Sequence, residues 1–485
     1  MRGNEGPRPT SERERTILFL ATLGTLMVAV DSTIVILALP TIGLDLSASL
    51  GLVIWTILIY LLVTAVLTTQ LGRLGDLFGR GRIYLVGFAV FTAGSAIAGF
   101  SGSADELIAA RAIQAIGGAL MIANASALIA DTIPRERRGR AFGFTAMGWS
   151  IGAVLGILLG GLITTEIGWR YVFFINVPIG IAAIVIGLRS LPRDEARPGQ
   201  WDPPGFATLS AVLGLVCYGA IDFSSYGLDA TNAALIVLGV ALLPVFVWLE
   251  LRAAHPLVDL RELRERVLGF SLLAAFFQSV GYLSIVFLLT MYLQGIRGLS
   301  PLNASILLIP GYLVGAVVGP FMGRQSDRLG ARRLATAGIG CMIVGTVAYS
   351  LLTAGSSLLW VPAISVVTGI GSGTFFPANN SAIMGRATPR TFGAIAGLRA
   401  TLQNVGTLFS FVLALTIASV SVPRYVAYEV FLGSSDLTGG VSRSFLHGID
   451  VALYGSTAVL LLAIFLSWAR GEDGSPSAPG SRSGA

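Results

Sequence analysis

Two charged residues lie inside long apolar segments, where a charge is hardest to keep. Asp31 falls in the apolar stretch 17–39 and Arg111 in the stretch 107–130. An ionised side chain at the centre of a membrane helix costs roughly 2.5 to 3.5 kcal/mol on insertion scales, so such residues mark proton relays, ion paths or buried pairs. At 1.5 Å per residue, both lie roughly 8 to 12 Å from the same end of their helices. We expect the Asp31 carboxyl group to gain and lose a proton, with the Arg111 guanidinium as its electrostatic partner.

Each of the two residues also has a purely structural interpretation. Asp31 can tie its helix to a neighbouring helix, and Arg111 can bind backbone carbonyls at a helix break. The sequence leaves both interpretations open.

The composition limits the class of protein. Apolar residues make up 54% of the 485 residues and charged residues 12%, with a mean hydropathy of +0.79, whereas soluble proteins carry about 25% charge. All 32 basic residues are arginine, which excludes phosphate-binding loops and Schiff bases that require lysine. Two cysteines and two histidines predict no metal site, no disulfide framework and no cofactor.

The apolar segments predict an all-α polytopic membrane protein. We count fourteen segments long enough to cross a bilayer, which needs about 20 residues for each helix. With a cytoplasmic N-terminus, 26 arginines fall on the cytoplasmic side, 4 outside and 2 within helices, which accounts for all 32. This positive-inside pattern predicts that both termini are cytoplasmic. The net charge of +6 then reflects topology and contact with anionic lipid, and no nucleic-acid partner is expected.

Two loops repeat each other and predict the architecture. Gly72–Arg82 and Gly323–Arg333 share five of eleven residues, including Asp76 and Asp327. Because both follow an even-numbered helix, they predict two parallel six-helix bundles with two extra helices between them. The predicted domains are an N-terminal arm at 1–16, a first bundle at 17–190, two inserted helices with linkers at 191–268, a second bundle at 269–470 and a disordered cytoplasmic tail at 471–485.

These motifs resemble those of a known family. The loop at 72–82 is similar to the signature of the major facilitator superfamily. The stretches Asp31–Pro40, Trp169–Pro178 and Tyr292–Gly295 are similar to its fourteen-helix drug:proton antiporter branch, the EmrB/QacA-like exporters. The resemblance implies a non-enzymatic, monomeric transporter of the inner (plasma) membrane that exports hydrophobic or cationic small molecules in exchange for protons by alternating access.

The repeated loops are expected to act as a conformational switch, as the resemblance implies. An acid at a helix boundary can cap the N-terminus of a neighbouring helix, and we expect Asp76 to do so while nearby arginines compete for it. A solvated positive-inside loop is the alternative. The switch residues are Gly72, Arg73, Asp76, Gly79, Arg80 and Arg82, with Arg324 and Asp327 as a weaker copy.

Glycines at four-residue spacing predict close helix contacts. We expect the two sets to lie at the interface between the bundles, with static packing as the alternative. They are Gly148, Gly152, Gly156 and Gly160 on the fifth helix, and Gly311, Gly315, Gly319 and Gly323 on the tenth. Ile157 stands where the similar antiporter motif has proline, which leaves the direction of transport open.

Aromatic and amide side chains within the spans are candidates for the substrate cavity. They are Trp55, Tyr60, Asn124, Trp149, Gln278, Tyr282, Asn379 and Asn404. Arg399 either extends to the membrane interface or faces the cavity and contacts an anionic group. The long outer segment 422–446 forms a lid or a surface helix.

Two other functions stay open. A uniporter or a symporter for a metabolite has the same fold without proton antiport. A channel or membrane enzyme is a rival of another class, although we find no charged ring, filter-like loop or His-Glu-x-x-His pattern.

Overall fold

The computed structural model of the protein describes residues 12–48, 50–191, 202–254, 256–257, 260–386, 392–418, 423 and 439–471. Within these ranges every regular element is helical, as the prediction of an all-α membrane protein requires, because a helix satisfies its own backbone in lipid. The N-terminal arm up to residue 11, the linker at 193–200, nearly all of 422–438 and the tail from 472 lie outside the described residues.

Sixteen α-helices follow one another in the described part of the chain. They are α1 (Glu12–Asp45), α2 (Leu50–Phe78), α3 (Arg80–Phe100), α4 (Ala104–Thr132), α5 (Arg135–Glu166), α6 (Tyr171–Phe174), α7 (Asn176–Ser190), α8 (Pro203–Tyr226), α9 (Ala230–Arg252), α10 (Arg266–Met291), α11 (Pro301–Ile306), α12 (Ile309–Leu329), α13 (Ala331–Tyr349), α14 (Trp360–Arg386), α15 (Phe392–Ala418) and α16 (Gly439–Ala469). A π-helical turn, Tyr292–Ile296, extends α10.

Twelve helical stretches of the described residues are long and apolar enough to cross a membrane, with α6 and α7 counting as one. Helices α12 and α13 lie where the tenth and eleventh spans are expected but are not among the twelve. Both carry arginines at the end where they meet, which lowers their mean hydropathy. The count of fourteen spans therefore stays a prediction.

The helices before and after the inserted pair pack mainly among themselves. In the N-terminal half, α1 packs against α5, and α4 packs against α2 and α3. In the C-terminal half, α14 packs against α12 and α13, and α10 packs against α15 and α16. The halves meet where α2 lies against α15 and α5 against α12. The inserted helices α8 and α9 pack on each other, and α8 touches both α2 and α15.

The repeated segments, which were predicted to be loops between helices, are mostly helical. Helix α2 continues to Phe78 and α3 starts at Arg80, so only Gly79 separates them. Gly79 has φ 95° and the equivalent Gly330 has φ 85°, conformations that residues with a side chain rarely adopt. A single residue can therefore reverse the chain in each repeat. We call the end of the bundle that carries these two junctions the loop end.

The glycines of α5 pack against α1. A Cβ atom at Gly152 would lie 2.7 Å from the Leu26 carbonyl oxygen, and one at Gly160 would lie 2.7 Å from the Ile34 carbonyl oxygen. Gly148 and Gly156 face α1 in the same way. Because lipid gives helices no hydrophobic reason to associate, close backbone contact of this kind supplies the packing energy.

The predicted place of the glycines between the bundles is wrong for both sets. On α12, Gly311, Gly315 and Gly319 face α14, a helix of the same half. Helices α5 and α12 do meet, but through another face, on which Gly143 approaches Pro320. Four-residue spacing identifies a face that packs closely, and it carries no information on which helix packs there.

Replacing Gly152 by alanine should separate α1 from α5, because the new methyl group meets backbone that cannot rotate away. We expect the free energy of unfolding to fall by about 1 to 3 kcal/mol, as for other overpacked interiors, in a denaturation titration of the purified protein. Gly214→Ala on α8 is the matched control, since nothing lies within 4 Å of a Cβ atom there. An equal effect of both changes would contradict the close contact.

Candidate functional site

Asp31 lies fully buried on α1, and both of its carboxylate oxygens accept hydrogen bonds. Oδ2 accepts from Arg111 Nη1 at 2.6 Å, and Oδ1 accepts from Gln114 Nε2 at 2.7 Å. Asn176 Nδ2 lies 3.4 Å from the same Oδ1 atom. The structure thus brings Asp31 and Arg111 together, as their predicted depths require.

Arg111 makes several polar contacts besides its ion pair with Asp31. Its Nε donates to the Thr56 carbonyl oxygen at 3.1 Å, and Nη1 also donates to Gln114 Oε1. The guanidinium carbon lies 4.4 Å from the centre of the Tyr60 ring, a cation–π contact that is worth more away from water. The pair therefore links α1, α2 and α4 in one polar cluster.

Sequence reasoning missed most of the residues that complete this cluster. Gln114 lies three residues after Arg111 and so shares its helix face, and it also donates to Ser95 Oγ at 2.7 Å. Asn176 belongs to the stretch Trp169–Pro178 that the resemblance singles out. The Thr56 contribution comes from its backbone, which no residue type reveals.

The buried pair holds its charges at a cost. Removing one partner of a buried pair typically destabilises a protein by about 3 to 5 kcal/mol, because an uncompensated charge remains. Besides Asp31, the guanidinium of Arg111 is held by Thr56, Gln114 and the Tyr60 ring.

The second polar cluster lies at the loop end and centres on Arg80. Its guanidinium donates to Asp76 Oδ1 at 2.8 and 3.0 Å, contacts Asp131 Oδ2 at 2.7 Å and donates to the Ala127 carbonyl oxygen at 3.2 Å. Arg80 is only 4% exposed. This arginine ties the α2–α3 junction to the end of α4.

The predicted competition for Asp76 is only partly seen. Arg73 Nη1 lies 3.7 Å from Asp76 Oδ2, and Arg82 is exposed. Within the described residues, no helix N-terminus is capped by Asp76, so that role stays a prediction. The side chain of Asp327 lies outside the described residues.

The candidate cavity residues are scattered over both halves rather than gathered at one place. Trp55 packs against Tyr218 of α8, with ring centroids 5.6 Å apart. Asn124 donates to the carbonyl oxygens of Leu71 and Leu120. Trp149 is 41% exposed. None of these three contacts the Asp31 cluster in the described part of the chain.

The candidates of the C-terminal half fall into two groups. On α10, Gln278 donates to Met342 Sδ at 3.5 Å, and the Tyr282 hydroxyl lies beside Thr368 and Ser372 of α14. Asn379 lies nearer the loop end, where it donates to the Ser271 carbonyl oxygen.

Arg470 completes a buried cluster that sequence reasoning missed. It follows the last residue of α16, is fully buried, and donates to Asn379 Oδ1 at 3.1 Å and Ser271 Oγ at 3.2 Å. A charged residue at a helix end predicts an exposed side chain, so the sequence pattern did not indicate this burial.

Polar side chains also join α2 to α15. The hydroxyl groups of Thr69 and Thr401 lie 2.6 Å apart, and Asn404 Nδ2 donates to Thr68 Oγ1 at 3.1 Å. Arg399, two residues before Thr401, donates to Gln403 Oε1 at 3.0 Å. These contacts link the two halves between the loop end and the middle of the bundle.

A third charged cluster lies in the N-terminal half, at the end opposite to the loop end. Asp45 Oδ2 accepts from Trp169 Nε1 at 2.9 Å and from Arg170 Nη1 at 2.6 Å. The hydrogen bonds from Trp169 and then Arg170 lower the pKa of Asp45 below its ordinary value of 3.8. Arg170 also lies over the Trp169 ring at 4.4 Å.

Comparisons with known proteins agree with this architecture. A profile of the Major Facilitator Superfamily matches residues 21–411. The chain is 28% identical over 452 residues to the multidrug efflux pump LfrA of Mycolicibacterium smegmatis, covering 91% of this chain and 89% of that protein. It is 29% identical over 408 residues to the riboflavin transporter RibZ of Clostridioides difficile, covering 81% and 86%. The solved structure of the human organic anion transporter MFSD10 covers 95% of this chain and 100% of its own, with a TM-score of 0.63 and 16% identity, a likeness of fold.

Replacing Arg80 by lysine should weaken the loop-end cluster although the charge is kept, because a single ammonium group cannot contact Asp76, Asp131 and a carbonyl oxygen in fork geometry. We expect a loss of about 1 to 3 kcal/mol in the free energy of unfolding. Arg82→Lys at the exposed neighbouring position is the control and should change it little. The reverse order of the two effects would show that Arg80 does not hold the junction.

The Asp45 cluster should give a pH-dependent stability. Because folding lowers the pKa of Asp45, its contribution is present above the ordinary carboxyl pKa and is lost as the pH falls through the lowered value. We expect the melting temperature of the wild type to exceed that of Asp45→Asn at pH 7, and the two melting temperatures to become equal below about pH 4. The measurement is a series of thermal melts followed by tryptophan fluorescence. A difference that stays constant with pH would rule out this contribution.

Proposed function

Because the chain belongs to the Major Facilitator Superfamily, we propose that it is a secondary transporter that exports hydrophobic compounds in exchange for protons by alternating access. The observation that carries the proposal is the buried Asp31–Arg111 pair, with both carboxylate oxygens occupied. An acid in the interior of a membrane protein, held by a partner that stays charged at every working pH, suits a site that loads and releases a proton.

Helix α2 gives a path from this site to the contact between the halves. Its Thr56 carbonyl oxygen accepts from Arg111, and its Thr69 hydroxyl contacts Thr401 of α15. The two positions are 13 residues apart, or about 20 Å along the helix. A shift of Arg111 after protonation of Asp31 is thus transmitted to the surface along which the halves separate.

The relatives support export and leave a second candidate. LfrA is described as a multidrug efflux pump, and by likeness we propose drug-like compounds as substrates. RibZ is described as a riboflavin transporter, which favours, as the alternative, a metabolite transporter without proton antiport. Cationic substrates have less support, because hydrogen-bond donors already occupy the Asp31 carboxylate.

Replacing Asp31 by asparagine separates these candidates, since it keeps the size of the side chain and removes the proton site. In proteoliposomes loaded with a neutral hydrophobic fluorescent dye, the flux driven by a pH gradient should fall to that of empty liposomes. Downhill exchange of dye without a gradient should persist. Asp229→Asn at the N-terminus of α9 is the matched control, because asparagine caps a helix as well as aspartate does.

Gradient-driven flux in Asp31→Asn at the wild-type rate would refute proton coupling through this residue. Wild-type flux that is indifferent to the pH gradient would instead favour the metabolite uniporter.

A further inference from the structure

We propose that Arg399 and Gln403 of α15 bind the acidic group of the transported compound, so that the substrates include organic anions with an apolar body. The inference rests on the proposed transport function and narrows its substrate class.

One face of α15 lies against α2. Gly397 approaches the Thr69 backbone, with a Cβ position 3.2 Å from its Cα atom, and Thr401 bonds to the same residue. Gly397 and Thr401 are four residues apart and therefore share a side of the helix. That side of α15 forms part of the contact between the halves.

A second face of α15 lies against α10. A Cβ atom at Gly406 would lie 2.8 Å from Ser279 Cβ and 2.9 Å from the Phe276 carbonyl oxygen. Leu402 joins the apolar cluster that contains Leu268 and Leu272. The side of α15 that is roughly opposite to α2 is therefore occupied by these contacts with α10.

The arc between these faces carries a polar stripe at four-residue spacing. Arg399, Gln403 and Thr407 are all partly exposed. Helix α2 of the N-terminal half flanks the stripe on one side and α10 of the C-terminal half flanks it on the other, so it faces the gap between the halves. One turn further on, Phe411 packs against Phe287 of α10 with ring centroids 5.4 Å apart.

Among the residues that the structure describes, no acid balances the charge of Arg399. Its hydrogen-bond partner is the neutral Gln403, and no described carboxylate lies within 4.0 Å of it. Arg111, by contrast, has Asp31 at 2.6 Å. A guanidinium removed from bulk water binds carboxylate-like groups through paired N–H donors.

The direction of the Arg399 side chain disfavours extension to the membrane interface. Its partner Gln403 lies one turn further from the loop end, which keeps the guanidinium along the stripe. Because the Gln403 carbonyl oxygen accepts from Arg399, its amide nitrogen keeps two N–H donors. Arg399 and Gln403 thus both offer N–H donors, and the positive charge of Arg399 favours an anion and repels a cation.

Fluorescein and rhodamine 123 test this directly, because they share a xanthene ring system and carry opposite charges. We expect Arg399→Gln to weaken fluorescein binding by at least about tenfold, the usual cost of losing a desolvated charge partner. Rhodamine 123 binding should not weaken. The measurement is fluorescence anisotropy with the purified full-length protein. Arg252→Gln on α9, where Arg252 lies over Trp248, is the control and should change neither affinity.

Gln403→Glu is the second variant, since it places a carboxylate beside Arg399 without removing it. Fluorescein binding should fall and rhodamine 123 binding should rise. Wild-type affinity of Arg399→Gln for fluorescein, or binding of rhodamine 123 alone by wild type, would overturn the inference. Binding of neither dye by wild type would overturn the inference as well. The proposed export is tested separately, by the dye flux of Asp31→Asn.

Discussion

A charge in the interior of a membrane protein must find its compensation within the protein, and this requirement shapes the N-terminal half. Asp31 and Arg111 come from different helices, and each is almost completely buried. Their compensation needs a backbone carbonyl from α2 and an amide from α4. Helices α1, α2 and α4 are therefore fixed to one another at a single level, and any change in the charge of Asp31 acts on all three.

Close backbone packing allows this cluster to sit at the centre of a helix bundle. The glycines of α5 bring its backbone against α1, so that α1 is held on one side by α5 and on the other by the ion pair. The same device recurs where Gly311 and Gly315 of α12 face α14. In both halves, glycine spacing serves packing within the half, and the contact between the halves relies on hydroxyl and amide groups such as Thr69, Thr401 and Asn404.

The sequence allows prediction of the helices and of the pairing of Asp31 with Arg111, because apolar length and matched depth are local properties. The sequence does not identify Gln114 as the second hydrogen-bond donor to Asp31, because a glutamine in a membrane helix has many possible partners. Residues 72–82 were expected to form a loop, yet helix geometry continues through all of them except Gly79. Burial of Arg470 depends on where α16 ends relative to α10 and α14, and only the tertiary structure contains that information.

The repeats share more sequence than they share contacts. Ala123-Asn124-Ala125-Ser126-Ala127 on α4 is matched by Ala378-Asn379-Asn380-Ser381-Ala382 on α14. Asn124 donates to the Leu71 carbonyl oxygen of α2, and its own oxygen lies where a Cβ atom of Gly75 would be. Asn379 turns instead to α10 and Arg470, and the position equivalent to Gly75 is Ser326, which has a side chain. Because an asparagine at equivalent positions binds different helices in the two halves, the role of Asp76 cannot be transferred to Asp327 on the strength of the repeat alone.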